Sequence, residues 1–165
     1  MRHSRLLILA LGLVATQPAL AAMTCSGSNV SLPFGLYDAF SPVPLDTQAT
    51  MSVSCTRVTN PPSDNPPAKV TIVVGVGASQ TSGSVQNRQL GRGGGGGLLN
   101  YNVYLDAGRL SVWGSSPGVD TISQTLNIPN KATRTAVFTF YGRLFAAQDV
   151  MPGTYGDALI VTVDY

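Results

Sequence analysis

The sequence predicts an all-β domain, and three observations lead to that fold class. Glycine and proline are frequent, with 18 and 11 of 165 residues, and they punctuate the chain at short intervals. The runs between them alternate apolar and polar residues with a period of two, and no stretch keeps a helical period for three turns. Glutamate is absent and lysine is scarce, whereas Thr, Ser and Val are abundant, which disfavours helices. Seven or eight strands at this spacing indicate a β-sandwich rather than a barrel or a βαβ fold.

The first 21 residues have the order of a secretory signal peptide. Arg2 and Arg5 precede an apolar run over residues 6–14, and small residues lead up to Ala21. That run is too short for a permanent membrane helix, and no later segment is long enough, so we expect no integral membrane segment. We therefore expect cleavage after Ala21 and one exported domain over residues 22–165.

Removal of the signal peptide would also remove the only histidine, His3. Six Arg and two Lys would then balance eight Asp, so the net charge gives no reason to expect a nucleic-acid partner. Without His or Glu, a Ser-His-Asp or Cys-His site and the usual histidine metal cluster are excluded. The aspartates are scattered singly beside turn residues. We expect no enzyme, no catalytic residue, no cofactor and no metal, with an aspartate-based hydrolase as the weak enzymatic alternative.

The chain has two cysteines, Cys25 and Cys55. An even number in an exported chain predicts a disulfide, with two free thiols as the alternative. A loop of about 30 residues closed by that bond would stabilise the fold by roughly 3 to 4 kcal/mol in the chain-entropy model. Cys55 shares one strand face with Met51 and Val53, so we expect the bond to point into the core.

The predicted strands follow from the alternating runs and the turn residues between them. In chain order they cover residues 29–34, 50–56, 69–76, 98–105, 110–113, 121–128, 135–141 and 155–165. Pro33 confines the first strand to an edge or a bulge. Residues 60–67 form a stiff proline-rich loop, and residues 106–109 form the turn of a hairpin. Residues 77–97 end in five glycines and predict a mobile surface loop.

The last predicted strand is the most regular. One face carries Leu159, Val161, Val163 and Tyr165, and the other carries Ile160, Thr162 and Asp164. Because the sequence stops inside this strand, we expect another chain to complete the sheet.

Several spaced motifs follow one another in the second half of the chain. They are Tyr101-Asn-Val-Tyr104-Leu-Asp106, Arg109, Trp113-Gly114, Tyr141-Gly-Arg143, Gln148, Gly153-Thr-Tyr155-Gly-Asp157 and Val161-Thr-Val163-Asp-Tyr165. In this order they resemble the spore coat protein U domain, the subunit module of archaic chaperone-usher pili. The cysteine pair and Phe34-Gly35-Leu-Tyr37-Asp extend the resemblance to nearly the whole exported domain.

The resemblance implies an incomplete immunoglobulin-like sandwich that lacks its final strand and is completed by donor-strand complementation. A periplasmic chaperone first lends a strand, and after passage through an outer-membrane usher a neighbouring subunit donates its own. The implied function is a structural or adhesive pilus subunit at the cell surface, active in surface attachment and biofilm. For the strand-accepting groove we expect one wall from the last strand and the other from the first, with the residues Val30, Leu32, Leu159, Val161, Val163 and Tyr165.

The N-terminal segment and the aromatic residues suggest two further expectations. Cleavage after Ala21 would leave three residues before Cys25, about 10 Å of chain and too short for a donor strand, which favours a strand-accepting subunit at the tip. The alternative function is a self-sufficient secreted carbohydrate-binding sandwich, with aromatic side chains and the 77–97 loop forming its site.

Overall fold

The computed structural model describes residues 23–58 and 67–165. The expected signal peptide lies outside these residues, as does most of the expected proline-rich loop. Within the described residues the chain forms strands and no helix, which confirms the all-β prediction. The strands are β1 (Met23–Gly27), β2 (Leu45–Arg57), β3 (Ala68–Ser79), β4 (Ser82–Ser84), β5 (Asn87–Arg92), β6 (Leu98–Tyr104), β7 (Ile122–Ile128), β8 (Thr133–Leu144), β9 (Tyr155–Gly156) and β10 (Leu159–Asp164).

The strands form two antiparallel sheets in a sandwich-like arrangement. The larger sheet has the order β1-β2-β8-β6-β5-β4, and β9 adds to β5. The smaller sheet has the order β10-β3-β7. The long pairing of β2 with β8 runs from Leu45 opposite Leu144 to Thr56 opposite Thr133 and forms the centre of the larger sheet.

The core lies between the two sheets and follows the period of two. In β2 the buried face carries Met51, Val53 and Cys55, as the alternation predicts. In β3 the buried face carries Ile72, Val74 and Val76, all fully buried. The ring of Trp113 stacks on Phe140 at a centroid distance of 4.5 Å, and its indole N–H donates to the carbonyl of Val74 at 2.9 Å.

The predicted disulfide is confirmed. Cys25 in β1 lies directly opposite Cys55 in β2, and their sulfur atoms are bonded. The bond ties the edge strand β1 to the centre of the larger sheet, and Cys55 is fully buried.

The expected strand over residues 29–34 is not a strand, and the first strand is β1. Val30, Leu32 and Phe34 do alternate and pack against the core, which explains the prediction. Residues 29–37 nevertheless form no backbone–backbone hydrogen bond with the described residues, because β1 already occupies the edge of β2 and the groove described below separates this segment from β10. Pro33 also has no N–H to donate. The segment is therefore held by its side chains.

The expectation of a mobile loop over residues 77–97 is wrong. β3 extends to Ser79, and β4 and β5 follow within the same stretch. The side chain of Arg88 in β5 is fully buried, which anchors the segment to the core. The glycine run makes the turn from β5 to β6, where Gly94, Gly95 and Gly96 have φ values of 90°, 85° and 81° that favour glycine.

Two other predicted strands, residues 110–113 and 155–165, differ from the strands of the structure. Residues 110–113 contribute one bridge, Val112 opposite Tyr104, rather than a return strand. The carboxylate of Asp106 accepts the N–H groups of Leu110 and Ser111, which holds this turn away from a regular ladder. Residues 155–165 divide into β9 and β10, with Asp157 between them.

Candidate functional site

A groove with a volume of about 1140 Å³ opens between the two sheets beside β10. Its floor consists of core side chains from the larger sheet, namely Leu90, Leu99, Tyr101, Phe140 and Leu144. One wall is the side-chain-held segment, residues 30–40. The other wall is residues 149–159 together with Val161. The groove therefore gives access to the apolar interior of the sandwich.

The β10 wall is an edge strand with an incompletely covered apolar face. Among the described residues β10 pairs with β3 and with no second strand. Leu159, Val161 and Val163 alternate inward as predicted but are half-buried, whereas the inward residues of β3 are fully buried. The difference indicates that one more layer of side chains would fit over β10.

The backbone groups of β10 have a defined direction, which follows from the bonds of β3. The N–H of Val76 donates to Gly114 at 2.7 Å, and its carbonyl accepts from Arg88 at 2.8 Å, so both groups point away from β10. Val161 is the partner of Val76 in the register. In an antiparallel pair, opposing residues either bond to each other or both point away. The N–H and C=O of Val161 therefore face the free edge.

The same geometry extends along β10. The carbonyl of Val74 accepts the indole N–H of Trp113 and also points away from β10. The N–H and C=O of Val163, the partner of Val74, therefore also face the free edge, as those of Val161 do. Thr162 lies between them opposite Gly75 and takes the bonded position in the β3 ladder. Alternate residues of β10 therefore offer backbone groups to an additional strand.

The six groove residues expected from the sequence occupy different places. Val30, Leu32, Leu159 and Val161 line the groove. Val163 packs on the core beyond the groove lining, close to Gly27 at the end of β1. The side chain of Tyr165 is 60% exposed.

A polar pair interrupts the apolar lining. The hydroxyl of Tyr101 donates to one oxygen of Asp157 at 2.7 Å, and the backbone N–H of Thr81 donates to the other at 3.0 Å. Burial raises the pKa of the Asp157 carboxyl, but hydrogen bonds from Tyr101, Ser79 and Thr81 outweigh it, so this pKa lies below its usual value. Burial, and then the bond to Asp157, raise the pKa of the Tyr101 hydroxyl. The carboxylate therefore stays ionised in the wall.

Sequence reasoning missed much of the lining. Residues 149–154 contain no alternating run and gave no strand signal, although they form half of one wall. Phe34 also lines the groove and meets Tyr101 edge-on at 5.7 Å. The one signal that could have found Phe34 is its place in the motif that begins Phe34-Gly35.

Other kinds of site find little support in the described part of the chain. It contains no cluster of three or more His, Cys, Asp or Glu side chains that could hold a metal ion. None of its segments forms a helix long and apolar enough to cross a membrane. The aromatic platform that the alternative carbohydrate-binding function would need is not exposed, because Tyr101, Trp113, Phe138 and Phe140 are buried in the core.

The described residues thus form a two-sheet β domain with an apolar groove beside an edge strand, and an exposed sheet edge is the kind of surface to which an extended peptide can add as a strand. The model of the Spore Coat Protein U domain matches residues 10–162, so the chain belongs to this family. Protein U of Myxococcus xanthus is 27% identical over 143 residues, which are 82% of this chain and 72% of that protein. At the level of the family, the chain is a coat- or fimbrial-type subunit.

Proposed function

We propose that the chain is a strand-accepting subunit of an archaic chaperone-usher pilus. The main support for this proposal is the free edge of β10, where the backbone groups of Val161 and Val163 point outward beside the apolar groove. A periplasmic chaperone first supplies a strand at this edge. A neighbouring subunit replaces it during assembly at the outer-membrane usher. The chain has no catalytic role in this proposal.

The energetics favour a strand with alternating apolar residues as the occupant. Its backbone would bond to Val161 and Val163, each bond contributing about 0.5–1.5 kcal/mol. Every second side chain would enter the groove, and full burial of an apolar side chain contributes about 1.5–3 kcal/mol. An edge strand beside open apolar surface otherwise promotes aggregation, which is the physical reason for a chaperone.

We also propose that the protein is exported and located at the cell surface. Residues 1–21 would be its signal peptide, and residues 22–165 would form one domain. The tip position and the adhesive role in biofilm remain predictions, and the tip position depends on cleavage after Ala21. N-terminal sequencing of the exported protein tests that cleavage, and a mature N-terminus well upstream of Ala22 would contradict it.

Expression in an oxidising periplasm, with and without the cognate chaperone, tests the strand-accepting function. We expect the chain to aggregate or be degraded alone and to form a soluble complex with the chaperone. The disulfide should form in both cases because the compartment is oxidising, so a missing disulfide would not explain the difference. A stable monomer that needs no chaperone would contradict the proposal and favour a self-sufficient binding module.

A further inference from the structure

A second depression lies on the larger sheet, away from the strand groove. It has a volume of about 670 Å³ and is lined by Gly83, Ser84, Asn87, Gln89, Asn100 and Phe145. Asn100 stands between Leu99 and Tyr101, which both line the groove. Successive side chains of a strand point to opposite faces, so the depression lies behind the groove. A strand in the groove would leave it open.

The lining carries no charged side chain, but it is rich in amides. Gln89 and Asn100 face each other in neighbouring strands, and the amide nitrogen of Gln89 donates to the amide oxygen of Asn100 at 2.9 Å. That bond leaves the Oε1 of Gln89 as an acceptor and the Nδ2 of Asn100 as a donor. The two free groups therefore form an adjacent acceptor and donor.

The backbone that carries these amides is also held in place. The side chain of Gln148 accepts the backbone N–H of Asn100 at 2.7 Å and donates to its carbonyl at 2.9 Å. The N–H of Phe145 donates to the same carbonyl at 3.2 Å. Gly83 has a φ of 98°, and a Cβ at this position would collide with the carbonyl of Asn87, so the β4–β5 turn packs tightly. The backbone of the site is therefore ordered before any ligand binds.

We propose that this depression binds a neutral carbohydrate through two neighbouring hydroxyl groups. Each sugar hydroxyl can both donate and accept, so a vicinal pair matches the free acceptor of Gln89 and the free donor of Asn100. Asn87 and Ser84 supply further polar groups at the rim. The half-buried ring of Phe145 offers an apolar surface for the C–H face of the sugar. An uncharged lining selects a neutral ligand.

Saturation-transfer NMR on the full chain, purified after export in complex with its chaperone, tests the site. The probes are D-glucose, D-galactose, D-mannose and N-acetylglucosamine. We expect transfer to at least one of them, with a Kd of about 10 mM or below. The double variant Asn87→Ala with Gln89→Leu should weaken that binding by at least about tenfold, since it removes two or more hydrogen bonds.

Two controls keep the outcome clear. Gln124→Ala removes an exposed amide from β7 of the other sheet and should not change binding. In the unmodified chain, the side-chain amide signals of Asn87 and Asn100 should shift on titration, which does not depend on a variant folding. Binding by none of the sugars, or equal binding by the double variant, would overturn the site.

Discussion

Val161→Asp is expected to abolish capture of the chaperone. Val161 lines the groove, and its backbone groups face the free edge of β10. An aspartate at this position would place a charge on the inward face of β10, in the groove that the side chains of the incoming strand would fill. Burial of an unpaired carboxylate costs several kcal/mol, so the complex should weaken by about a hundredfold or more. Co-purification of the chain with the tagged chaperone measures this effect.

Ile160→Asp is the matched control for Val161→Asp. Ile160 is the preceding residue of β10, lies on the opposite face and is 58% exposed. The substituted aspartate adds the same charge to the same strand but does not place it in the groove. The complex with the chaperone should therefore form as it does with the unmodified chain. Equal co-purification of Val161→Asp and Ile160→Asp would show that the groove does not receive the strand.

Arg88→Met is expected to cause the largest loss of stability. The guanidinium of Arg88 is fully buried and donates to the carbonyls of Val76, Gly77 and Trp113 and to the side chain of Asn102. Methionine could fill much of the space but would leave the three carbonyls without their donor, whereas the Oδ1 of Asn102 would still accept the N–H of Val103. Each buried unsatisfied group costs about 1–3 kcal/mol, so we expect a loss of at least about 3 kcal/mol.

Urea unfolding of the chain completed by a donor peptide without tryptophan measures this loss. The fluorescence of Trp113, the single tryptophan of the chain, reports the transition. Arg134→Met is the control, since Arg134 is exposed and donates to the neighbouring carbonyl of Thr133. It should change the free energy of unfolding by less than about 0.5 kcal/mol. Similar values for the two variants would contradict the anchoring role of Arg88.

The fold class was predictable because the signal is local. The alternation in β2, β8 and β10 requires only a period of two, and the structure has strands at all three positions. The pairing of Cys25 with Cys55 was predictable because no other cysteine competes. These predictions needed no knowledge of which strands are neighbours.

The errors arose where long-range partners decide the structure. The alternation of residues 29–34 is that of a strand, but the edge of β2 is already paired with β1. The composition of residues 77–97 suggested a loop. The structure instead anchors this stretch through Arg88, whose hydrogen-bond acceptors lie in β3, in β6 and at Trp113. Composition alone does not contain these contacts.

The candidate groove was predictable only in part. The apolar face of β10 and two residues of the opposite wall came from alternation and the family resemblance. The direction of the β10 backbone groups could not be predicted, because it depends on the bond from Val76 to Gly114 and on the register with β3.

A pair of proline substitutions in β10 tests the strand-accepting edge most directly. Proline removes one N–H and is tolerated in an edge strand when that N–H faces outward. Val161→Pro should therefore keep the β10–β3 ladder but lose the chaperone, whereas Thr162→Pro should break the ladder opposite Gly75.

Val161→Ala and Thr162→Ala control for the lost side chains. Hydrogen exchange of the β3 amides, measured on the purified chain refolded in dilute solution before it aggregates, reports the ladder, and co-purification reports capture. The predicted result is an intact ladder without capture for Val161→Pro, and capture of Val161→Pro equal to that of Val161→Ala would contradict the strand-accepting edge.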